Sequence, residues 1–348
     1  MNYKSLIILI FVIFIQIITV HFDLHADSIN NQDSIQTEDT TGIYIPVEDF
    51  IYSDHKRVTM SGTLPLLKTD LNKNAWIVGG VYTGIFAAQH IWQKSTIWDE
   101  TGEFTFADDL DYALGADKYG HAFAAYLASY MMTEALAESG VSWESANIYG
   151  AGMGLMFQTY IELIDGFGEN WGFSKSDMYA NIAGSGFFLA QHYFPFLQNF
   201  TPKFMYIPAP WHGELKRRPS TNFNDDYSSH TMWLSVDIHN LLPSGLKDYW
   251  PSWLELSFGY AVRNLCDTLN PDSYTCESCS KVKEQEGYWG SPRFIVALDY
   301  NLVDLLPDGP PLWMWIRQTL NHMKMPSPAV EFGSTTKFYL LYPFQINF

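Results

Sequence analysis

Residues 117–138 read DKYGHAFAAYLASYMMTEALAE, a stretch in which alanine and other small residues recur three or four positions apart. This spacing is typical of a helix whose small side chains let a neighbouring helix come close. Two stretches of the same character follow it and one precedes it. We therefore predict four helices, at 73–93, 117–138, 143–165 and 175–192. Because the links between the last three are short, consecutive helices should run antiparallel as a bundle.

After about residue 205 the helical spacing ends, and apolar and polar residues alternate along the chain. We predict strands of an antiparallel sheet at 231–241, 253–262, 293–302 and 337–348, with a short strand at 330–333 and an edge segment at 43–58. A helix is expected at 313–323. The predicted fold class is therefore α+β: an N-terminal antiparallel four-helix bundle packed with a C-terminal antiparallel β-sheet.

The start of the chain indicates export. Residues 6–20 are apolar except for Gln16 and Thr19, Lys4 precedes them, and Ala26 is a small residue at a plausible cleavage point. This pattern predicts a signal peptide at 1–26, with an uncleaved anchor as the alternative. The predicted organisation continues with a leader and edge segment at 27–71, the helical bundle at 72–200 and a β-rich region with one helix at 201–348.

Composition narrows the class of partner. The chain has 38 acidic and 20 basic side chains, a formal net charge of -18, which argues against nucleic-acid binding because phosphates need a basic surface. Aromatic residues make up 16% of the chain, which suits work at or near a membrane. We expect a membrane or lipid as partner, and no nucleic acid.

The three cysteines, Cys266, Cys276 and Cys279, lie in one polar stretch. In an exported protein, one disulfide with one thiol left over is the expected use. A zinc site is the alternative, but it would need a fourth ligand, and no second Cys-x-x-Cys pair supplies one.

Three pairs of polar residues occur at helical spacing: Asp117 with His121, Glu162 with Asp165, and Asp177 with Asn181. In an antiparallel bundle, the start of the second helix, the end of the third and the start of the fourth lie at the same end. The pairs should therefore meet. His90 and Gln93 would join them if the first helix is also antiparallel.

Each pair also has a structural interpretation. Asp117 fits a helix cap, and Ser174-x-x-Asp177 fits a capping box. Glu162 and Asp165 are harder to explain this way, because carboxylates at a helix C-terminus oppose the helix dipole. His121, Lys118 or a bound cation could compensate.

A histidine among carboxylates can act as a general acid or base, or it can bind a divalent cation together with them. His121, Asp117 and Glu162 are the candidate catalytic residues. The candidate ligand-binding residues are Asp165, Asp177, Asn181, Gln158 and Trp171. The sequence does not identify a metal. No Gly-x-Ser-x-Gly, phosphate-binding glycine loop or His-Glu-x-x-His is present, so acyl transfer and nucleotide chemistry are disfavoured.

Three blocks carry a family resemblance: Asp117-Lys118-x-x-His121, Phe157-Gln158-x-Tyr160-x-Glu162-x-x-Asp165-Gly166, and Gly172-Phe173-Ser174-x-x-Asp177-x-x-Ala180-Asn181-x-x-Gly184. Over residues 115–190 the chain resembles the bacterial family called domain of unknown function 2279, predicted periplasmic lipoprotein. It is more distantly similar to the VanZ-like membrane proteins. The lipoprotein cysteine is missing, so lipid anchoring does not carry over. The resemblance implies an envelope location and a polar helical core, but no established reaction.

Three hypotheses of function follow. The first is an exported protein at the periplasmic face of the outer membrane of a Gram-negative-type bacterium, which binds a lipid or amphipathic ligand between bundle and sheet. The second is a metal- or His-assisted hydrolase or transferase acting on an envelope lipid or glycan, with Asp117 orienting His121. The third is a structural module whose polar residues only hold the helix ends together.

Overall fold

A computed structural model describes residues 51–52, 55–56, 59–61, 68–96, 98, 100–169, 171–212, 223–224, 226–265 and 290–344. The predicted signal peptide, the leader that follows it and the three cysteines lie outside these residues. The described part combines helices in the N-terminal half with an antiparallel sheet in the C-terminal half.

The long helices occur where the periodicity predicts them. They are α1 (Asn74–Thr96), α2 (Ala116–Glu138), α3 (Trp143–Asp165) and α4 (Lys175–Tyr193). Three shorter helices follow in the C-terminal half: α5 (Ile238–Leu241), α6 (Leu302–Leu305) and α7 (Pro311–Leu320). The α7 helix is the one predicted at 313–323, and it packs on α2, where Trp315 Nε1 donates a hydrogen bond to Glu134 over 3.1 Å.

The main sheet has six antiparallel strands in the order β10-β9-β8-β7-β6-β5, so every strand pairs with its neighbours in sequence. The strands are β5 (Phe200–Tyr206), β6 (His230–Val236), β7 (Leu254–Arg263), β8 (Ser291–Tyr300), β9 (Ala329–Phe332) and β10 (Lys337–Tyr339). Two small pairings precede it: β1 (Ile51–Tyr52) with β2 (His55–Lys56), and β3 (Phe106–Ala107) with β4 (Phe173–Ser174). The segment predicted as a sheet edge at 43–58 thus forms its own hairpin where it is described.

Two predicted strand boundaries are corrected, and one strand was not predicted. The strand predicted at 231–241 ends at Val236, because Asp237 caps α5 by accepting a hydrogen bond from the Asn240 backbone over 2.9 Å. The strand predicted at 337–348 ends at Tyr339. The β5 strand was not predicted, because Pro202 and a buried Lys203 interrupt its apolar alternation.

Close helix packing occurs among α2, α3 and α4. A Cβ atom added at Gly184 would lie 2.0 Å from the backbone oxygen of Ala122, and one at Gly154 would lie 2.5 Å from Ser129 Oγ. These glycines therefore let α4 and α3 approach α2 more closely than any side chain would allow.

The predicted four-helix packing is not confirmed, because α1 lies apart from this tight core. A Cβ atom at Gly79, Gly80 or Gly84 would meet nothing within 4 Å. Phe86 packs on Tyr160 of α3 at a ring-centroid distance of 4.3 Å, but much of α1 is open to solvent. Its large exposed apolar side chains include Trp76, Ile77, Val81, Ile85 and Ile91. Within the described residues, no helix combines the length and apolar character that crossing a membrane requires.

The sheet contacts the bundle near the start of α2. Phe123 stacks on Phe204 at 5.5 Å, and Tyr119 lies 5.0 Å from Tyr260, both measured between ring centroids. The Tyr260 hydroxyl donates a hydrogen bond to the backbone oxygen of Leu114 over 2.6 Å. Leu114 has a positive φ of 53°, a strained conformation for a branched side chain, directly before α2 begins. The sheet thereby helps to fix the first turn of α2.

The two faces of the sheet differ in polarity. One face buries charged side chains, among them Lys203, Glu255 and Asp299. The other face, which contacts α2 through Phe204 and Tyr260, also carries exposed apolar side chains: Leu234, Phe258, Phe294, Phe332 and Phe338.

Candidate functional site

Polar side chains from α2, α3 and α4 come together at one end of the helical core. We call this group the helix cluster; its members are Asp109, Asp117, Lys118, His121, Glu162, Asp177 and Asn181. Asp117 and His121 share the first turns of α2, Glu162 lies in the last turn of α3, and α4 brings Asp177 and Asn181. The structure thus brings together five of the six paired residues that were expected to meet, whereas Asp165 pairs with Trp98 instead.

His121 lies at the centre of the helix cluster. Its Nε2 atom is 3.5 Å from Asp117 Oδ1 and 3.8 Å from Asp177 Oδ2. Its Nδ1 atom is 3.4 Å from Glu162 Oε1 and 3.3 Å from Asn181 Oδ1. Each ring nitrogen therefore faces at least one carboxylate.

Lys118 joins the same carboxylates from the other side. Its Nζ atom is 2.7 Å from Asp117 Oδ2, 2.6 Å from Asp177 Oδ1 and 3.1 Å from Asp109 Oδ1. Asp117 and Asp177 therefore each present one oxygen to the Lys118 ammonium and the other to the His121 imidazole.

The capping interpretations account for only part of this arrangement. Ser174 Oγ caps α4 by accepting a hydrogen bond from the Asp177 backbone over 3.0 Å. The reciprocal partner is Glu162, whose Oε2 atom accepts from the Ser174 backbone over 3.4 Å, and the Asp177 carboxylate remains in the cluster. Asp117 follows Gly115, the residue at the N-cap of α2, and makes no side-chain capping bond.

One member of the helix cluster, Asp109, and one residue that contacts it, Tyr227, were not predicted from the sequence. Asp109 accepts hydrogen bonds from Ser174 Oγ over 2.6 Å and Ser176 Oγ over 2.8 Å, besides its ion pair with Lys118. Tyr227, from the C-terminal half, donates its hydroxyl to Asp117 Oδ1. Asp109 could have been suspected from the acidic run that contains it, but nothing local points to Tyr227.

Burial and neighbouring charges shift the pKa values of the carboxyl groups in the cluster in different directions. Burial raises the pKa of Glu162 to about 10, and the charges of Asp177, Asp165 and Asp117 act in the same direction. The pKa of Asp177 is raised to about 7, first by burial and then by Asp117. Burial also opposes ionisation of Asp117, but His121 and Lys118 outweigh it and lower the pKa of that carboxyl. The cluster therefore contains more carboxyl groups than its own cations can stabilise in the ionised form.

Three buried polar atoms in the cluster lack a hydrogen-bond partner among the described residues: Asn181 Nδ2, Glu162 Oε1 and Asp177 Oδ1. Two of them face a nitrogen of the cluster, since Asp177 Oδ1 lies 2.6 Å from Lys118 Nζ and Glu162 Oε1 lies 3.4 Å from His121 Nδ1. Because most buried polar atoms in proteins are hydrogen-bonded, Nδ2 of the fully buried Asn181 marks this part of the cluster as a candidate binding place.

The other predicted residues lie beside the helix cluster. Asp165 accepts a hydrogen bond from the indole nitrogen of Trp98, and the Tyr160 hydroxyl pairs with His90. Gln158 is buried and Trp171 is half-buried. Neither takes part in the hydrogen bonds and ion pairs of the helix cluster described above. Gln93 is also buried.

The arrangement offers two kinds of chemistry. Asp117, His121 and Asp177 present ligand atoms that all lie within 4.8 Å of one another, a spacing compatible with one metal ion. An imidazole between carboxylates can also carry a proton to or from a bound molecule.

Comparison with known proteins supports the first resemblance. Residues 103–191, which include the whole helix cluster, match the model of the family described as predicted periplasmic lipoprotein, domain of unknown function 2279. No curated protein and no solved structure matches the chain. The family description supports a periplasmic or envelope location, without specifying the outer membrane. The VanZ-like resemblance stays a prediction.

Proposed function

We propose that this protein works in the cell envelope by binding the polar head group of a lipid or other amphipathic ligand at the helix cluster. The observation that carries the proposal is the amide nitrogen of the fully buried Asn181, which has no hydrogen-bond partner among the described residues and whose Oδ1 atom lies 3.3 Å from Nδ1 of the partly exposed His121. A polar ligand group at this place would accept a hydrogen bond from Asn181 Nδ2.

Exposed apolar side chains beside the cluster in sequence support an amphipathic ligand. Five large ones lie within three residues of a cluster member, and we call them the apolar rim: Phe106, Leu110, Tyr119, Tyr179 and Ile182. Exposed apolar side chains are typical of surfaces that bind apolar groups. An acyl chain against members of this rim would remove them from water while the head group contacts the cluster.

This proposal relocates the ligand from the place that the sequence suggested. The contact between α2 and the sheet is filled by aromatic packing, including Phe123 on Phe204. The polar end of the helical core, with its apolar rim, therefore fits a ligand better than the junction between bundle and sheet does. The periplasmic face of the outer membrane remains our proposed location.

The test is to identify what remains bound to the full chain. The protein is purified from membranes in a mild detergent, and its bound lipids are identified by mass spectrometry. We expect lipid with the wild type, and loss of that lipid in Asn181→Leu and Tyr179→Ser. Tyr249→Ser is the matched control, because Tyr249 is 83% exposed but lies in the C-terminal half. Equal lipid content in all variants, or none in the wild type, would contradict the proposal.

A second function, a hydrolase or transferase acting on an envelope lipid or glycan, is favoured by the carboxylate at each ring nitrogen of His121. Under this proposal, Asp117 orients the imidazole and Glu162 faces its other nitrogen. Incubation of the wild type with envelope lipids and glycan fragments should then yield a product. His121→Gln and Glu162→Gln should abolish it, whereas Glu144→Gln, in the first turn of α3, should not. Recovery of every substrate unchanged by the wild type would exclude it for those substrates.

A further inference from the structure

We propose that Asp117, His121 and Asp177 form a binding site for one divalent first-row metal ion. This inference deepens the proposed function and rests on it in one respect: the ion would occupy the head-group site and become part of what a ligand contacts there. The ion itself, however, is bound by protein atoms alone and can be tested without a lipid.

The distances between the three ligand atoms suit one ion. His121 Nε2 lies 3.5 Å from Asp117 Oδ1 and 3.8 Å from Asp177 Oδ2. Ligand atoms about 2.1 Å from a tetrahedral ion lie about 3.4 Å apart, so small side-chain movements would complete the geometry. One imidazole with two carboxylates is a donor set for Mn²⁺, Fe²⁺ or Zn²⁺ rather than for Ca²⁺.

Lys118 does not occupy the proposed position. Its ammonium contacts Asp117 Oδ2 and Asp177 Oδ1, the two oxygens that face away from His121. Asp117 Oδ1 also accepts the Tyr227 hydroxyl, and a carboxylate oxygen has a second lone pair for an ion. The oxygens needed by the ion are therefore accessible from the His121 side.

The surroundings of His121 are those of a metal ligand. Its Nδ1 atom faces Glu162 Oε1 at 3.4 Å and Asn181 Oδ1 at 3.3 Å. Histidines that bind metal through one nitrogen usually donate the other N–H to a carboxylate or carbonyl, which fixes the tautomer. Here either acceptor can take that proton.

An independent observation is the fully buried Asn181, whose Nδ2 atom has no acceptor among the described residues. A water or ligand oxygen on the ion would supply an acceptor. The charge balance points the same way, because Asp109, Asp117 and Asp177 share a single lysine. A divalent ion would offset two of these carboxylates.

The experiment titrates the metal-free full chain with Mn²⁺ and follows free Mn²⁺ by electron paramagnetic resonance. Mn²⁺ is the probe because it prefers oxygen and nitrogen, whereas Zn²⁺ would also bind the three cysteines. We expect one Mn²⁺ per chain. Asp177→Asn and His121→Gln should weaken binding at least about tenfold.

Two matched control variants show whether Mn²⁺ binds at the proposed site or is attracted by surface charge. Asp108→Asn removes an exposed carboxylate next to Asp109, and His192→Gln removes a half-buried histidine at the other end of α4; both should bind Mn²⁺ as the wild type does. Circular dichroism shows whether each variant is folded. If a site variant does not fold, nitrogen hyperfine coupling in the wild-type Mn²⁺ signal provides the second readout, because only a coordinated imidazole produces it.

Each outcome decides the proposal. No binding of Mn²⁺ by the wild type at millimolar concentration, bound Mn²⁺ without nitrogen coupling, or unchanged binding in folded site variants would overturn it. Failure of the proposed lipid binding can be distinguished from failure of the metal site. Mn²⁺ bound without any co-purified lipid leaves the metal site standing alone, whereas lipid retained by a chain that binds no Mn²⁺ leaves only the head-group site.

Discussion

The protein buries two ionic groups, and they are built differently. The helix cluster lies at the end of the helical core. The second group, which we call the sheet cluster, lies on the covered face of the sheet and consists of Lys203, Glu255, Asp299 and Lys324. Lys203 is fully buried, whereas the His121 side chain in the helix cluster is 19% exposed.

The sheet cluster is balanced and fully hydrogen-bonded. Lys203 Nζ lies 2.7 Å from Glu255 Oε2 and 3.0 Å from Asp299 Oδ2. Lys324 Nζ donates to Ser327 Oγ over 2.7 Å and lies 3.4 Å from Asp299 Oδ1. Two lysines therefore face two carboxylates, and none of their side-chain atoms is among the unpaired buried atoms of the described residues.

The helix cluster has neither property. Its carboxyl groups outnumber its cations, and Asn181 Nδ2 has no hydrogen-bond partner among the described residues. A closed, balanced group of charges holds elements together, whereas an unbalanced and partly exposed group has a place for something else. The comparison therefore assigns an architectural role to the sheet cluster and favours a binding role for the helix cluster.

The largest expected effect is in the sheet cluster. Lys203→Met leaves Glu255 and Asp299 buried without their main cation, and it should lower the free energy of unfolding by about 3–5 kcal/mol. Glu162→Gln in the helix cluster keeps the shape of the side chain and should cost less than about 1 kcal/mol. Urea unfolding followed by circular dichroism measures both.

The exposed Lys73→Met is the matched control for Lys203→Met and should have almost no effect. A loss caused by Glu162→Gln as large as that of Lys203→Met would break the comparison and favour a purely structural helix cluster.

A smaller effect is expected at His230, which contacts Tyr227 at a ring-centroid distance of 5.5 Å. Burial lowers the pKa of His230 to about 4; Arg263 acts in the same direction, while the hydrogen bond to Phe223 and the charge of Asp226 oppose it. The unfolded chain takes up the proton below about pH 6.5, but the folded chain does so only near pH 4. His230 therefore contributes fully to the free energy of unfolding above pH 6.5. This contribution falls by about 3 kcal/mol as the pH drops from 6.5 through 4.

The free energy of unfolding, measured by urea denaturation between pH 4 and 7, checks this sign. In His230→Phe, which keeps an aromatic ring, the free energy of unfolding should fall by about 3 kcal/mol less between pH 7 and 4 than it does in the wild type. An identical pH profile in the wild type and the variant would show that acid sensitivity arises elsewhere.

The smallest effect concerns the approach of α4 to α2, which places Asp177 and Asn181 beside His121. Gly184→Ala puts a methyl group against the Ala122 backbone and should destabilise the protein by about 1–3 kcal/mol. Gly186→Ala, in the same helix but facing open space, should be neutral or stabilising by up to about 1 kcal/mol. Thermal melting of both variants provides the measurement, and equal effects would contradict the close approach.

The glycines also show how far local sequence can predict packing. Gly79, Gly80 and Gly84 in α1 have spacing similar to that of the small residues of α3 and α4, yet no atom of the described residues lies within 4 Å of a Cβ added at them. A small residue permits a close contact, but a partner must be brought there by the rest of the fold. The helix boundaries, by contrast, were predictable to within a few residues because apolar periodicity is a local property.

The helix cluster was predictable only in part, because some of its contacts depend on residues that the rest of the fold brings to it. Asp117, His121, Glu162, Asp177 and Asn181 were found because short links between helices bring their ends together. Asp109 and Tyr227 come from outside the helices, and their approach depends on the loop before α2 and on the sheet.

The amino-acid sequence by itself determined where helices and alternating strands form and which polar residues share one end of the core, because these follow from residue spacing and link length. Only the tertiary structure decided that α1 stays outside the tight core, that a balanced ionic group lies beneath the sheet, and that Tyr227 completes the helix cluster. The physical reason is that charge balance, unpaired atoms and close approach are properties of residues distant in the chain, which acquire a partner only when the chain has folded.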